Sequence, residues 1–549
     1  MGATSAAVLG IVALLSAGCV FLLQLIKSPA DQEITVAWAA GISEADRQAA
    51  ERLLTLEDGD ESEPGKWVYY VRDQSVANIR RVVTHPLVAD TNHVDRETFR
   101  VLIDDPDIPA PLRALLEAHY AVAASIGLLV VGLVLLVTGR RALAQWAERV
   151  TACGGTVELG FALAALTIGF AFFADKDHGV DENIHYDQIV RMADGDFSLN
   201  PALTTLPGFH AVVAALGRAT GGVGEFSTRV IVFGIAIATV VTFFVLARTV
   251  QPTRAGLLTL QFAFMPVLFT QFFLVYTDVL SLLCVLLMIL AVVRHRLWLA
   301  GGLGLLACAM RQNNVVWVAF AVALSYLRDN GWTWRPIGES LQRYWTFVAT
   351  GLAFLTFVAL NGGEVALGND AGSHPLGTVH ATNLLFAMAL SGVGFLPLWW
   401  GYRRQIAVTT SRRWVWLGLA AVFAVFWFGW QNDHPHNNER ADYFLPNAVL
   451  MYFSATASHK LWLFLPVALG AFGLASAPLK RGWWLLGPFS ALFLLPVWLV
   501  VPRYYLIPWS LFLIAREPAS PWGERLQIAV HLIVSVGFYL VMERNWGWI

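Results

Sequence analysis

Long apolar stretches recur from one end of this chain to the other, and few charged residues interrupt them. Hydrophobic residues make up 57% of the 549 positions and charged residues only 14%, whereas a soluble domain carries about 25% charged residues. A stretch of about 20 apolar residues is long enough to cross the hydrocarbon core of a bilayer. The chain is therefore predicted to be an all-α polytopic membrane protein with about 14 or 15 transmembrane helices.

The near-neutral charge and the placement of the cysteines exclude two classes of protein. The formal net charge is −2, so the chain lacks the basic surface that a nucleic-acid partner requires. Cys19, Cys284 and Cys308 lie in apolar stretches, and Cys153 lies beside a basic loop. No even-numbered set of extracytoplasmic cysteines exists, which excludes a disulfide framework.

An acidic, water-exposed insert separates the first two predicted spans. Residues 1–26 are predicted to form a retained first transmembrane helix, because no signal-peptide cleavage site follows at a suitable distance. Acidic residues outnumber basic ones over residues 27–117, which predicts a small extracytoplasmic domain of mixed secondary structure. Residues 118–138 are predicted to form the second transmembrane helix, and residues 155–549 a multispanning domain.

Basic residues mark every second connection between the predicted spans. Because cytoplasmic loops carry an excess of Lys and Arg, these connections are predicted to face the cytoplasm, and the intervening polar clusters the outer or lumenal side. Two apolar segments, 297–310 and 506–514, are too short to cross unaided and are predicted to end against protein or a cavity. The basic connections hold Arg140, Arg141, Arg149, Arg248, Arg254, Arg294, Arg296, Arg328, Arg335, Arg343, Arg403, Arg404, Arg412, Arg413, Lys480, Arg481, Arg516 and Arg525.

The longest polar cluster, residues 175–188, follows the third predicted span. If the segment from Asp181 is helical, then Asp181, His185 and Gln188 share one face, with Glu182 beside them. A carboxylate held near an imidazole and an amide is suited to act as a general base toward a sugar hydroxyl. An acidic, solvated loop explains the same spacing equally well. A metal site is a weaker interpretation, because no metal-ligand spacing such as H-E-x-x-H appears.

Two arginines in the outer polar segments are the best candidates for binding an anion. A guanidinium matches phosphate oxygens bidentately, whereas a lysine offers only a point charge. Arg503 has no acidic neighbour in sequence, which favours a ligand role. Arg440 could instead pair with Glu439 or Asp442. His374 could donate to the same anion, and an ordinary loop histidine is the alternative.

Two tight reversals between apolar segments, residues 276–278 and 311–314, also carry charged side chains. A charged residue at such depth is costly, which makes Arg311 a functional candidate by default. An ion pair between Arg311 and Asp278 is the structural alternative.

Taken in order, these polar strips resemble the dolichyl-phosphate-glucose α-1,2-glucosyltransferase family. Each match alone is weak, but their shared order and spacing over residues 155–516 make the set specific. Asn200 departs from the family pattern, which has an acidic residue there. The matching strips are Asp181-Glu182 with His185 and Gln188 (D-E-x-x-H-x-x-Q), residues 204–208 (T-T-x-P-G), 276–278 (Y-Y-T-[DE]), 311–317 (R-Q-T-N-I-x-W), 361–368 with Ser373-His374 (N-G-x-[IV]-V-x-G-D and S-H), His434-Pro435 with 440–443 (H-P and D-N-R-H-Y) and 503–508 (R-Y-F-I-L-P).

The resemblance implies a type C glycosyltransferase. Such an enzyme transfers a hexose, in this family glucose, from a polyprenyl (dolichyl-type) phosphate donor to a lipid-linked or other extracytoplasmic glycan acceptor, with inversion. It implies Asp181 as the catalytic base, with Glu182 second, and no metal or cofactor, because polyprenyl phosphate is already the leaving group. The predicted substrate-binding residues are His185, Gln188, Thr205, Asp278, Arg311, Gln312, Asn313, His374, His434, Arg440, Tyr443, Arg503 and Tyr504, of which Arg503, Arg440 and His374 are assigned to the donor phosphate.

Two other classes of membrane protein remain open. A transporter or flippase of a lipid-linked saccharide would spread ionisable residues along a two-sided path and often shows paired halves, whereas here the charges collect at one face. A receptor whose active part is the acidic insert would not need so many spans. The Arg-rich, Lys-poor composition points to a bacterial genome of high GC content, and so to the cytoplasmic membrane with the site facing outward. In a eukaryote the resemblance implies the endoplasmic reticulum membrane.

Overall fold

Two units make up the chain, Met1–Arg141 and Ala142–Ile549. The described part of the first unit contains strands and a helix, and that of the second is built from helices. The computed structural model describes residues 32–54, 56–71, 81–82, 85–91, 155–174, 176, 178–179, 181–368, 378–439 and 444–543.

The described part of the first unit is a four-stranded antiparallel sheet with one helix. Helix α1 (Glu44–Leu53) begins where the Ser43 side chain accepts from the backbone N–H of Asp46, which satisfies an otherwise unpaired helix donor. Trp38 and Tyr69 lie in the small apolar core, where the Trp38 indole donates to the Tyr69 hydroxyl at 2.9 Å. The strands are β1 (Gln32–Trp38), β2 (Leu56–Glu63), β3 (Lys66–Val71) and β4 (Val88–Thr91), in the sheet order β2-β3-β1-β4.

The second unit confirms the predicted all-α polytopic membrane class. In the described part of the chain, five helices (α2, α5, α11, α18 and α21 below) are long and apolar enough to cross a membrane. Shorter apolar helices pack against these and against one another. The total of 14 or 15 spans stays a prediction. The helices are α2 (Thr156–Phe173), α3 (Asp181–Asp194), α4 (Gly208–Ala219), α5 (Glu225–Val250), α6 (Ala255–Ala263), α7 (Pro266–Gln271), α8 (Thr277–Val293), α9 (Leu297–Met310), α10 (Val315–Asn330), α11 (Ile337–Leu360), α12 (Ala381–Gly394), α13 (Leu396–Gly401), α14 (Arg403–Thr410), α15 (Arg413–Gly429), α16 (Pro435–Glu439), α17 (Leu445–Ser454), α18 (Ala457–Ser476), α19 (Leu486–Leu494), α20 (Leu506–Ala515) and α21 (Pro521–Glu543).

Connections rich in basic residues contact one another at one end of this helical unit. The backbone N–H of Lys480 donates to the carbonyl of Ala515 at 2.9 Å, and the Tyr402 hydroxyl donates to the carbonyl of Glu517. Arg328 donates to the carbonyl of Val292 at 3.2 Å. Helix α20 has ten residues and is therefore about 15 Å long. It runs from the polar strip that contains Arg503 to this end of the unit.

A buried ionic cluster joins the region of α6 to the last described helix. Arg516 is fully buried and donates to both carboxylate oxygens of Glu524, at 2.6 and 2.7 Å. Arg254 reaches the same carboxylate at 2.5 Å, and the Gln261 amide donates to it at 2.9 Å across 263 residues of sequence. Burying a charge is costly unless it is paired, so the cluster fixes the relative placement of α6, α20 and α21.

Candidate active site

A cavity of about 590 Å³ lies where several of the polar strips meet in the helical unit. Charged side chains in mutual contact line one part of it, and apolar side chains from α11, α19 and the segment after α19 form much of the remaining wall. Pockets of this size, with a few polar groups set in an apolar lining, are typical small-molecule sites. Eight of the predicted site residues line the cavity: Asp181, His185, Thr205, Arg311, Gln312, Asn313, Arg503 and Tyr504.

Helix boundaries bring the charged residues to the cavity. Asp181 is the first residue of α3, and Tyr276 stands in extended conformation directly before α8. Arg311 follows α9, also in extended conformation, and Arg503 lies in a 3-10 turn that precedes α20. Helix ends leave unpaired backbone groups that need polar surroundings. The short polar strips between apolar helices are therefore where a membrane-embedded site can form.

Asp181 and Arg503 meet at one wall of this cavity although 322 residues separate them in sequence. The Arg503 Nη2 lies 3.5 Å from the Asp181 Oδ2, and the side chains keep 16% and 32% of their surface exposed. Because about a third of its side chain stays exposed at the cavity, the Asp181 carboxylate remains accessible to a ligand.

The guanidinium of Arg503 is charged and only partly hydrogen-bonded. It lies over the ring of Tyr276 at 5.1 Å, and its Nε finds no hydrogen-bond acceptor among the described residues. Burial lowers the pKa of Arg503, but the nearby carboxylates of Asp278 and Asp181 outweigh it and raise the pKa above its usual value. A permanently charged, incompletely bonded guanidinium at a cavity wall is suited to bind phosphate oxygens.

Arg311 forms the ion pair that the sequence left as an alternative. Its Nη1 lies 3.0 Å from Oδ1 of Asp278, and its Nε donates to the Thr277 hydroxyl at 2.9 Å. Arg311 still lines the cavity, where it also faces the ring of Tyr504 at 5.4 Å. Asp278 does not line the cavity and acts on it through Arg311.

Two buried asparagines hold the segment that leads to Arg503. The Asn383 amide donates to the carbonyls of Val497 and Leu499 at 2.7 and 2.8 Å. Asn437 both donates to and accepts from the backbone of Val500 at 3.0 Å. Buried backbone groups need such partners, so these asparagines fix the path of the chain where it has no regular secondary structure.

Gln312 has a comparable structural role at the opposite wall. Its amide donates to the carbonyls of Thr204 and Val365 at 2.9 and 3.0 Å, and its carbonyl accepts from the backbone of Leu206 at 3.2 Å. Three separate polar strips are thereby joined at one side chain. Thr205, next to this junction, lines the cavity, and its buried hydroxyl has no partner among the described residues.

Glu182 does not reach the cavity, contrary to its prediction as the second candidate base. It is fully buried, and its Oε2 lies 3.3 Å from Nη2 of the fully buried Arg229. Its oxygens also accept from the backbone of Val275 at 2.8 Å and of Gly179 at 3.1 Å. Neighbouring residues on a helix point about 100° apart, so Asp181 faces the cavity while Glu182 faces α5.

Loss of the Glu182 carboxylate is expected to destabilise the fold. Glu182→Ala would leave the Arg229 charge buried without its partner, which typically costs about 3–5 kcal/mol. Thermal unfolding in detergent would show the loss as a clearly lower midpoint. Glu225→Gln is the matched control, because Glu225 is exposed at the start of α5 and its replacement should change the midpoint little. A Glu182→Ala protein as stable as this control would contradict the structural role.

Two further predicted ligands point away from the cavity. Gln188 is fully buried and holds the strip after α3: its amide donates to the carbonyl of Ser198 at 3.1 Å and its carbonyl accepts from Asn200 at 2.7 Å. His434 is buried against the ring of Trp498 at 4.7 Å. The histidine that does line the cavity is His436, two residues later. Sequence reasoning missed it, although the strip His-Pro-His that contains both was the available signal.

Three predicted residues, His374, Arg440 and Tyr443, lie outside the described residues, so their placement stays a prediction. Within the described residues, no group of three or more His, Cys, Asp or Glu side chains is arranged to hold a metal ion. The geometry therefore centres the site on Asp181, Arg503 and Arg311.

Comparison with known proteins finds a family whose model matches part of this chain. Residues 176–336 match the model of the DIE2/ALG10 family. The resemblance seen in the polar strips is confirmed. The matched segment contains the strips of Asp181, Tyr276 and Arg311, and Arg503 contributes to the cavity from beyond it.

Relatives from animals and a plant carry one name. A mouse protein is 23% identical over 444 residues, covering 67% of this chain and 90% of its own. A Drosophila melanogaster protein is 24% identical over 436 residues, covering 71% and 95%, and an Arabidopsis thaliana protein is 30% identical over 177 residues, covering 27% and 33%. Each is a Dol-P-Glc:Glc(2)Man(9)GlcNAc(2)-PP-Dol alpha-1,2-glucosyltransferase. No solved structure gives a significant match to the chain.

Proposed function

We propose that this chain is an inverting hexosyltransferase that moves glucose from a polyprenyl-phosphate donor to a glycan acceptor, lipid-linked or otherwise outside the cytoplasm. The observation that carries the proposal is the meeting of Asp181 and Arg503, 3.5 Å apart, at one cavity wall. A donor of this kind has a phosphate and an apolar chain, and the cavity offers guanidinium groups beside an apolar wall. The names of the relatives supply the sugar and the type of donor.

Asp181 acts as the general base in this proposal. Its carboxylate takes the proton of the acceptor hydroxyl while the hydroxyl oxygen bonds to the anomeric carbon of the donor. The bond from that carbon to the phosphate oxygen breaks, and polyprenyl phosphate leaves with the electron pair. Attack from the face opposite the leaving group inverts the anomeric configuration.

Arg503 and Arg311 stabilise the leaving group. The negative charge on the phosphate grows as its bond to the sugar breaks, so fixed positive groups beside it stabilise the transition state more than the ground state. Arg311 is held by Asp278 and Thr277, and Arg503 by its contacts with Asp181 and Tyr276. Both guanidiniums are therefore pre-oriented before the donor binds.

The domain organisation and location follow as parts of the same proposal. Residues 155–549 carry the transferase, residues 1–26 and 118–138 are transmembrane helices, and residues 27–117 form an extracytoplasmic domain. The cavity opens to the outer face of the bacterial cytoplasmic membrane, or to the lumen of the endoplasmic reticulum in a eukaryote.

The test is direct transfer by the purified protein in liposomes. Radiolabelled polyprenyl-phosphate-glucose and a lipid-linked saccharide extract are expected to give a labelled glycan of inverted anomeric configuration. UDP-glucose, which carries the same sugar on a nucleotide, is the control donor and should give none. Product of retained configuration would contradict the mechanism. Movement of the labelled lipid across the bilayer without transfer of glucose would show that the protein is a transporter and not a transferase.

A further inference from the structure

Two histidines form a pair at the wall of the cavity. Nδ1 of His185, in α3, lies 3.0 Å from Nε2 of His210, in α4. His185 lines the cavity, whereas His210 is fully buried behind it. The His185 ring is enclosed further by Phe209 and Tyr276, whose ring centroids lie at 6.1 and 5.4 Å. The orientation of His185 is therefore fixed by packing and by one hydrogen bond.

Both imidazoles are neutral at pH 7. Burial lowers the pKa of His185 well below its usual value, and His210, Arg503 and Arg311 lower it further by charge. Burial lowers the pKa of His210 to about 4, opposed by the backbone carbonyl of Pro207, which acts as an acceptor toward the ring. Among the described residues along the cavity wall, Asp181 is the acidic one, and it pairs with Arg503.

Because both rings are neutral, the nitrogen that carries the hydrogen in one ring determines which nitrogen carries it in the other. A neutral imidazole carries one N–H and one bare nitrogen, and one hydrogen lies between His185 and His210. The remaining hydrogen sits either on Nδ1 of His210 or on Nε2 of His185. Nε2 of His210 faces His185, which leaves the buried Nδ1 for the Pro207 carbonyl, and this contact is an electrostatic one without the geometry of a hydrogen bond. An N–H there is attracted to the carbonyl, whereas a bare nitrogen would be repelled.

We propose that His210 is a positioning residue that keeps the cavity-facing Nε2 of His185 unprotonated, so that it accepts a hydrogen bond from a sugar hydroxyl. The inference rests on the proposed function, because the sugar is its ligand. The hydrogen bond selected at one ring nitrogen of a histidine decides the state of the other. His185 then stands one helical turn from Asp181, so one helix face presents two acceptors, one for the reacting hydroxyl and one for another hydroxyl.

Kinetics of three variants test the role of His210. His210→Phe keeps an aromatic ring but removes the partner of His185, and kcat/KM should fall about 5- to 10-fold, the effect of one hydrogen bond. His210→Gln places an amide near the former Nε2 and should restore most of the activity. A rise of KM for the donor or for the acceptor saccharide alone identifies which sugar His185 contacts.

A matched control and a mutant cycle separate positioning from stability. His531→Phe removes another buried imidazole, whose Nδ1 lies 2.7 Å from the carbonyl of Gln261, and it should leave kcat/KM unchanged. His210→Phe should have no further effect in a His185→Ala background, because His210 acts only through His185. Additive losses, or full activity of His210→Phe, would overturn the proposal.

Nuclear magnetic resonance of isotope-labelled histidine in the wild-type protein reads the tautomer without any assay of activity. The signal assigned to His185 through its loss in His185→Ala is expected to show an unprotonated Nε2 and a protonated Nδ1. A protonated Nε2 would overturn the inference even in an active transferase. The predicted tautomer in a protein without transferase activity would instead reject the proposed function, so the two failures are distinguishable.

Discussion

Asp181→Asn is expected to lower kcat by about 100- to 10,000-fold, the usual contribution of a general base. Asn has nearly the shape of Asp and still accepts a hydrogen bond from Arg503, but it cannot take the proton of the acceptor hydroxyl. KM for the donor should change little, because the phosphate ligands remain. The measurement is initial-rate kinetics with radiolabelled polyprenyl-phosphate-glucose.

Asp187→Asn is the matched control for this change. Asp187 lies on the same helix but outside the cavity lining, and its carboxylate accepts from Arg191 at 2.8 Å and from Asn200 at 2.9 Å. The same loss of one carboxylate charge from α3 should leave kcat within about twofold, as surface substitutions usually do. Equal losses in both variants would show that the charge of α3, and not a base at Asp181, supports transfer.

Arg503→Ala is expected to lower kcat/KM by about 100- to 1,000-fold, as removal of a pre-oriented charge-stabilising group usually does. Arg503→Lys should recover only part of this loss, because an ammonium keeps the charge but not the bidentate fork. The measurement is kcat/KM for the polyprenyl-phosphate sugar at fixed acceptor concentration.

Arg404→Lys and Arg404→Ala are the controls for the arginine series. Arg404 is exposed on α14, in a connection of the basic set, and neither change should alter kcat/KM. Complete recovery by Arg503→Lys would argue against bidentate binding of the phosphate. Unchanged activity of Arg503→Ala would remove Arg503 from the site.

Many residues of the candidate site could be predicted from sequence because they occur in short polar strips between apolar helices. The expected helix from Asp181 forms, and Asp181 and His185 both line the cavity. The outward placement of these strips was inferred from charge in the loops, which reports the ends of helices. What charge cannot report is which strips meet, and the contact of Asp181 with Arg503 emerges only from the fold.

Neither the role of Glu182 nor that of His210 could be predicted from sequence, and the reason is similar for both. Glu182 stands beside Asp181 in an acidic strip, and nothing local reveals that Arg229, 47 residues later, meets it in the protein interior. His210 lies in an apolar helix, where a lone histidine is usually a buried residue with an ordinary hydrogen bond. Each role depends on a partner brought close by tertiary packing.

The cluster around Glu524 has a consequence for how the chain is made. Gln261 and its neighbour Arg254 leave the ribosome long before Glu524, which follows Gln261 by 263 residues. At ordinary rates of translation this interval lasts about 15 to 50 s. During that time the earlier helices sit in the bilayer with a cation awaiting its counter-charge. The placement of the helix with Gln261 is thus completed only after Glu524 has been synthesised.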